Sequence, residues 1–183
     1  MKSHAIALAL LVSALYVWAP APSPADASDG DAAELEAFFA DKLTHEYRHL
    51  WLDTPSEPFS FAEASDLYVM DDRLTALDTD ALLVPGQDSR LEGWQEYAGV
   101  WPQAYEHIRS FVPGPIRELN VRRHGSWALT NFDMAGEAEL ASGQQLAIFK
   151  HVTLLWIREG SQWRILHEHL SDSTAPEALE ARP

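Results

Sequence analysis

The chain has no cysteine in 183 residues, which excludes a disulfide framework, a thiolate metal site, a cysteine nucleophile and a lipid-modified cysteine. Basic residues are scarce: 13 Lys and Arg stand against 28 Asp and Glu, a formal net charge of −15. That excess repels phosphate backbones and anionic lipids, so sequence-independent nucleic-acid binding and a membrane-surface role are not expected. The apolar run Ala5 to Trp18 is too short for a transmembrane helix of about 20 residues. No internal repeat and no low-complexity block suggests a second domain. At 46% hydrophobic and 22% charged, the composition is that of a single globular domain.

The N-terminus reads as an export signal over residues 1–27. Lys2 supplies the positive start, and Ala25-Asp26-Ala27 offers a small-x-small cleavage site before Ser28, with Ala19-Pro20-Ala21 as a competitor. The expected location is therefore periplasmic or secreted, with no membrane contact after cleavage. Residues 28–174 form the expected domain, and 175–183 a loose tail without an apolar stripe.

Leu35, Phe38, Phe39, Leu43, Tyr47 and Leu50 recur at helical spacing, predicting an amphipathic helix from Asp31 to about Trp51. Pro55 and Pro58 end it. A shorter helix is expected over Phe61–Met70, a strand over Leu74–Asp78, a loop around Pro85-Gly86, and a third helix over Trp94–His107. After Pro115 the chain alternates β-rich runs with turns: Ile116–Arg123, Trp127–Leu140, Leu146–Arg158 and Trp163–Ser171. Helices first and an antiparallel meander second predict an α+β domain with helices on one sheet face.

Leu77-Asp78, Gly93-Trp94-Gln95-Glu96-Tyr97, Thr153 to Trp156 and Trp163 to Ser171 together resemble the nuclear transport factor two-like superfamily, in its SnoaL-like and ketosteroid-isomerase-like bacterial branch. The resemblance spans roughly Ala33 to Thr174. It implies a cone: a curved antiparallel sheet wrapped around a long N-terminal helix, with two further helices, an apolar pocket at the open end and usually a homodimer. Relatives include isomerases, cyclases, dehydratases and non-catalytic binders, so fold alone leaves activity open. The resemblance places Asp78 at the base position of the isomerases, although an ungapped alignment puts Val84 there, and a turn-capping role for Asp78 stands beside the pocket role. Leu154 occupies the position of the isomerases' protonated acid, so steroid isomerisation by that mechanism is not expected.

Period-two alternation places His167, His169 and Ser171 on one face with Trp163 and Ile165, and Glu168 and Leu170 on the other; His151 shares a face with Thr153. Imidazoles so spaced can relay protons or chelate a metal, or simply fix hydrogen bonds in the sheet. His45-Glu46-Tyr47-Arg48-His49 matches H-E-x-x-H, the zinc signature of a metal-dependent hydrolase, but no second signature supports it. Helical phase puts Glu46 in the middle of the apolar arc, where with His49 it could meet the histidines of the last strands; a Glu at the helix edge is the alternative. Trp94, Tyr97, Trp101 and Tyr105 recur on the third helix as core or as aromatic pocket walls. Asp133, in phase with Asn131, could face the cavity.

The sequence thus supports an exported domain that binds a small, mainly apolar molecule and forms a homodimer. The expected acid–base set is Asp78, Glu46, His151, His167 and His169, with His49, Trp94, Tyr97, Trp101, Asp133 and Thr153 as ligand contacts. No cofactor and no resident metal are expected. A non-catalytic binding or assembly module is the competing reading.

Overall fold

The computed structural model describes residues 29–172; the expected export signal and C-terminal tail lie outside them. The first helix, α1, runs over Asp29–Lys42 and continues through a π-helical turn, Leu43–Tyr47, into a closing turn, Arg48–Leu50. Its buried stripe is Phe39, Leu43, Tyr47 and Leu50. In a π turn each backbone bond spans five residues instead of four, so each residue advances by a smaller angle. Glu46 is thereby turned out of the buried arc, while Tyr47 stays within it.

After α1, backbone bonds between Asp53 and Phe111, at 2.9 and 2.7 Å, tie the chain to the distant edge of the sheet. A short 3₁₀ turn, Phe61–Glu63, leads into α2, Ala64–Leu67. There follow β1 (Thr75–Asp78), a 3₁₀ turn (Thr79–Leu83), β2 (Arg90–Glu92) and α3 (Trp94–Tyr105), then β3 (Ile108–His124), β4 (Trp127–Leu140), β5 (Gln145–Glu159) and β6 (Gln162–Asp172). The six strands form one sheet in the order β2-β1-β6-β5-β4-β3.

The α+β expectation holds, with three corrections. Strand β3 starts eight residues before Ile116, the expected start, and runs through Pro113 and Pro115. It is an edge strand, where a missing N–H breaks no ladder on the open side, and its register shifts at three places. Strand β2 was expected as loop; its three residues form the opposite edge. The sheet is also not wholly antiparallel, because β1 pairs with β6 in parallel.

Alternation within the strands builds the interior. Ala128, Thr130, Phe132, Met134 and Ala138 of β4, and Lys150, Val152, Leu154 and Trp156 of β5, are all buried on the inner face. Helix α1 lies against that face, with Phe39 5.1 Å from Trp156 and 5.7 Å from Trp163, and Tyr47 edge-on to Phe132 at 5.8 Å. Burying aromatic side chains of this size contributes most of the local stability, at about 25 cal/mol per Å² of apolar surface removed from water.

Strand β6 departs from simple alternation. Leu155 pairs with His167 while Trp156 pairs with Ile165, so Leu166 is an extra residue bulged from the ladder. Before the bulge Trp163 and Ile165 face inward; after it Glu168 and Leu170 do. The bulge reverses the expected phase and sends His167 and His169 to the outer face.

Candidate functional site

A cavity of about 50 Å³ lies between α3, the inner sheet face and the turn after β1. Trp51, Trp101, Tyr105, Phe111, Met134 and Leu170 make much of its wall, and the charged residues on it are Asp78, Asp80 and Lys150. A single water needs roughly 10–15 Å³ of such space, so the hollow suits a few waters or one small ring, and a fused-ring molecule requires side chains to move.

Each polar residue is held for a local reason. Asp78 ends β1 and caps the 3₁₀ turn that follows, its Oδ1 accepting the Asp80 backbone N–H at 2.9 Å. The same residue lines the cavity and is 4% exposed, so the capping role and the pocket role coexist. Burial pushes its pKa well above the ordinary aspartate value; the nearby Asp80 charge adds to this, while the Asp80 N–H and the Lys150 ammonium oppose it. Lys150 follows the inward phase of β5. Its Nζ donates to Asp80 at 2.8 Å and to Asp172 at 2.6 Å. Burial alone would favour the neutral amine, but the two carboxylates outweigh it and the lysine pKa is raised, so Lys150 is a standing cation rather than a nucleophile.

Deeper in the core, Glu168 is fully buried and accepts hydrogen bonds from three phenols: Tyr47 of α1, Tyr68 after α2 at 3.1 Å, and Tyr97 of α3. Burial raises its pKa against the lowering effect of those donors, and burial likewise raises all three tyrosines. The network joins α1, α3 and β6 around one carboxyl group and senses Asp78 electrostatically.

Of the residues the sequence pointed to, Asp78, Trp101 and Tyr105 line the cavity. Tyr97 is buried against Glu168, and Trp94 is half-buried, stacked on Phe61. The others lie elsewhere. Glu46 is exposed and paired with Lys42, for the π-turn reason given above. His45 and His49 face solvent near Asp41 and Glu57, and no cluster of three metal-ligating side chains occurs among the described residues, so His45, Glu46 and His49 do not assemble a zinc site. His151 and Asp133 contact each other on the outer sheet face, and Thr153 donates to Asn131 there at 2.9 Å. Asp133 therefore does not reach the cavity: its inward neighbours on β4 are Phe132 and Met134. His167, moved outward by the bulge, shares a 2.7 Å hydrogen bond with Thr75, and burial followed by the neighbouring His169 pulls its pKa down. His169 is exposed on the same face.

Sequence reasoning missed Lys150, Asp80, Trp51 and the Glu168 network. Lys150 was legible, since it keeps step with Val152, Leu154 and Trp156. Glu168 was not, because nothing in Ile165-Leu166-His167 announces a bulge.

The Asp78 geometry has a consequence for stability. Its folded-state pKa lies above the unfolded value of about 3.9, so the native state holds more protons between the two values, and the contribution is complete below about pH 4 and lost as pH rises through the folded pKa. Asp78→Asn keeps the capping oxygen but cannot ionise. Its stability relative to wild type, measured by urea unfolding, is expected to improve as pH rises above about 4 and through the folded-state pKa of Asp78. A difference independent of pH would contradict the buried carboxyl.

The fold is shared with known structures. A nuclear transport factor 2-like superfamily protein from Salmonella enterica superposes with a TM-score of 0.60 at 15% identity, covering 79% of this chain and 94% of that one. A proposed aromatic ring hydroxylase from Novosphingobium aromaticivorans gives 0.56 at 10% identity over 79% and 88%. A proposed scytalone dehydratase from the same species gives 0.51 at 11% identity over 78% and 83%. At these identities the likeness is one of fold. No curated protein matches the sequence. The SnoaL-like domain profile matches residues 59–176, which hold β1 with Asp78, α3 and the whole β3–β6 meander; the chain belongs to the SnoaL-like domain family.

Proposed function

We propose that this SnoaL-like domain binds a small, mainly apolar molecule in the cavity and moves a proton on it with Asp78, in chemistry of the isomerase, cyclase or dehydratase type. The observation that carries the reading is the placement of one buried carboxyl group with a raised pKa in an otherwise greasy wall, with a permanent cation, Lys150, on the same lining. A buried carboxyl with a raised pKa binds its proton more tightly than a solvated one and is a stronger base once ionised, which suits it to general acid–base catalysis. The histidines of the outer face take no part in this reading. The proposed hydroxylase and dehydratase among the structural neighbours are consistent with a small cyclic substrate.

Binding is tested by titrating small cyclic ketones and hydrocarbons against intrinsic tryptophan fluorescence, since Trp51 and Trp101 line the cavity. Ile148 of β5 also lines the cavity, and saturable binding that Ile148→Trp abolishes, with circular dichroism unchanged, is the expected result. Binding indifferent to this plug would place the ligand elsewhere and remove the reading.

The outer sheet face supports the homodimer as a second proposal. Leu77, Val112 and Trp127 are exposed on it, beside half-buried Phe149, Leu155 and Ile157. A patch of this kind marks an interaction surface. Several of its polar groups are already paired, as His151–Asp133, Thr153–Asn131 and His167–Thr75, so a second copy can cover these without stranding their donors. Sedimentation equilibrium should give twice the chain mass; a monomer at micromolar concentration would contradict it. Export with cleavage before Ser28 completes the proposal and is read directly from the N-terminal sequence of the protein recovered outside the cytoplasm.

A further inference from the structure

Two indole N–H groups, Trp51 Nε1 and Trp101 Nε1, are the buried side-chain polar atoms that lack a hydrogen-bond partner among the described residues. Indole nitrogen is a donor only. Both rings are nearly closed off from bulk solvent, at 6% and 3% exposure. An unpaired buried donor typically costs about 1–3 kcal/mol, and native proteins retain few of them. Here the two occur on neighbouring rings whose centroids are 5.1 Å apart, and both rings line the same cavity. The remaining polar groups of that cavity are engaged: Asp78 with the Asp80 N–H, and Lys150 with Asp80 and Asp172.

We infer that the cavity selects a neutral carbonyl compound, whose oxygen accepts hydrogen bonds from the Trp51 and Trp101 indoles while its apolar body fills the rest. Charge decides the neutrality. Asp80 and Asp172 already outnumber Lys150, and Asp78 adds no positive charge, so an anionic carboxylate or phenolate meets a repulsive site. An ammonium ion has no lone pair to offer the indoles, and an alcohol that accepts from them brings an O–H needing an acceptor of its own, whereas a carbonyl oxygen offers two lone pairs and no donor. Discrimination arises because a hydrocarbon of the same shape leaves both N–H groups unpaired, whereas a ketone satisfies them. This inference deepens the cavity reading and rests on it.

Cyclohexanone and methylenecyclohexane differ only in carrying C=O or C=CH₂, so they isolate the acceptor. In ¹H–¹⁵N spectra of the full chain, with resonances assigned from Trp51→Phe and Trp101→Phe, cyclohexanone is expected to move both indole N–H signals downfield and methylenecyclohexane to leave them in place. Each Phe variant keeps an aromatic wall and loses the donor. Its affinity for cyclohexanone should fall about 3- to 10-fold, with the affinity for methylenecyclohexane unchanged. Equal binding of the two probes, with both indole signals stationary, overturns the inference while leaving the cavity as a binding site. Failure of both probes to bind overturns the cavity reading and the inference with it. The wild-type spectra decide the question even if a variant fails to fold.

Discussion

Asp78→Asn is expected to slow deuterium incorporation at the α-carbon of a bound cyclic ketone by roughly 10²- to 10⁴-fold relative to wild type, the range that positioned general bases contribute. In D₂O the ionised Asp78 takes the α-proton, the C–H electron pair becomes the enolate double bond, and the carbonyl π pair moves onto oxygen. Exchange of the carboxyl proton with solvent and return of a deuteron to carbon complete the cycle, with no other reactant consumed. The substitution keeps the side chain's shape and the acceptor for the Asp80 N–H, so the turn after β1 is retained and the loss is chemical rather than structural. Exchange is followed by the decay of the ketone α-proton signal. Equal rates for wild type and Asp78→Asn would remove Asp78 from the chemistry and favour a non-catalytic binder. His167→Ala is expected to leave the rate unchanged, because His167 faces Thr75 on the outer side of the sheet.

The largest stability effect belongs to Glu168. Glu168→Ala strips the acceptor from Tyr47, Tyr68 and Tyr97, leaving three phenols unpaired in the core and a hole where the carboxyl was. Each stranded buried hydroxyl costs about 1–3 kcal/mol, partly relieved by rearrangement, so a loss of about 4 kcal/mol is expected. For a domain of this size that lowers Tm by about 10 °C. Tyr68→Phe removes one donor and leaves two, and should lower it by no more than a few degrees. A Glu168→Ala variant melting within 2 °C of wild type would show that the network contributes little.

These two residues also mark how far the sequence could be read. The helices and the four long strands are legible because their apolar periods are long and unbroken: Phe39, Leu43 and Tyr47 on α1, and Phe132 and Met134 on β4. The resemblance to SnoaL-like relatives rests on the same stretches. What failed were the places where one residue changes the phase of all that follow. The π turn at Leu43–Tyr47 moved Glu46 from the interior to an ion pair with Lys42. The bulge at Leu166 exchanged His167 and His169 for Glu168 and Leu170 on the inner face. Neither irregularity has a residue signature of the kind that Gly or Pro gives a turn, and both depend on tertiary packing. Asp78 escaped the problem because it lies at the end of a short strand, where alternation has no length over which to slip. Lys150 was available to the same period-two reasoning that placed its neighbour His151, but a lysine between Phe149 and His151 gives no hint that two carboxylates wait for it on the inner side.

Asp78 therefore carries the account, and its protonation is the quantity to measure. A carboxyl ¹³C titration of the selectively labelled protein, without ligand and with saturating cyclohexanone, is expected to show Asp78 titrating well above the ordinary aspartate value of about 3.9 and shifting when the ketone binds. A resonance that titrates at the ordinary value and ignores the ketone would contradict the proposal that this cavity binds a molecule and handles its proton.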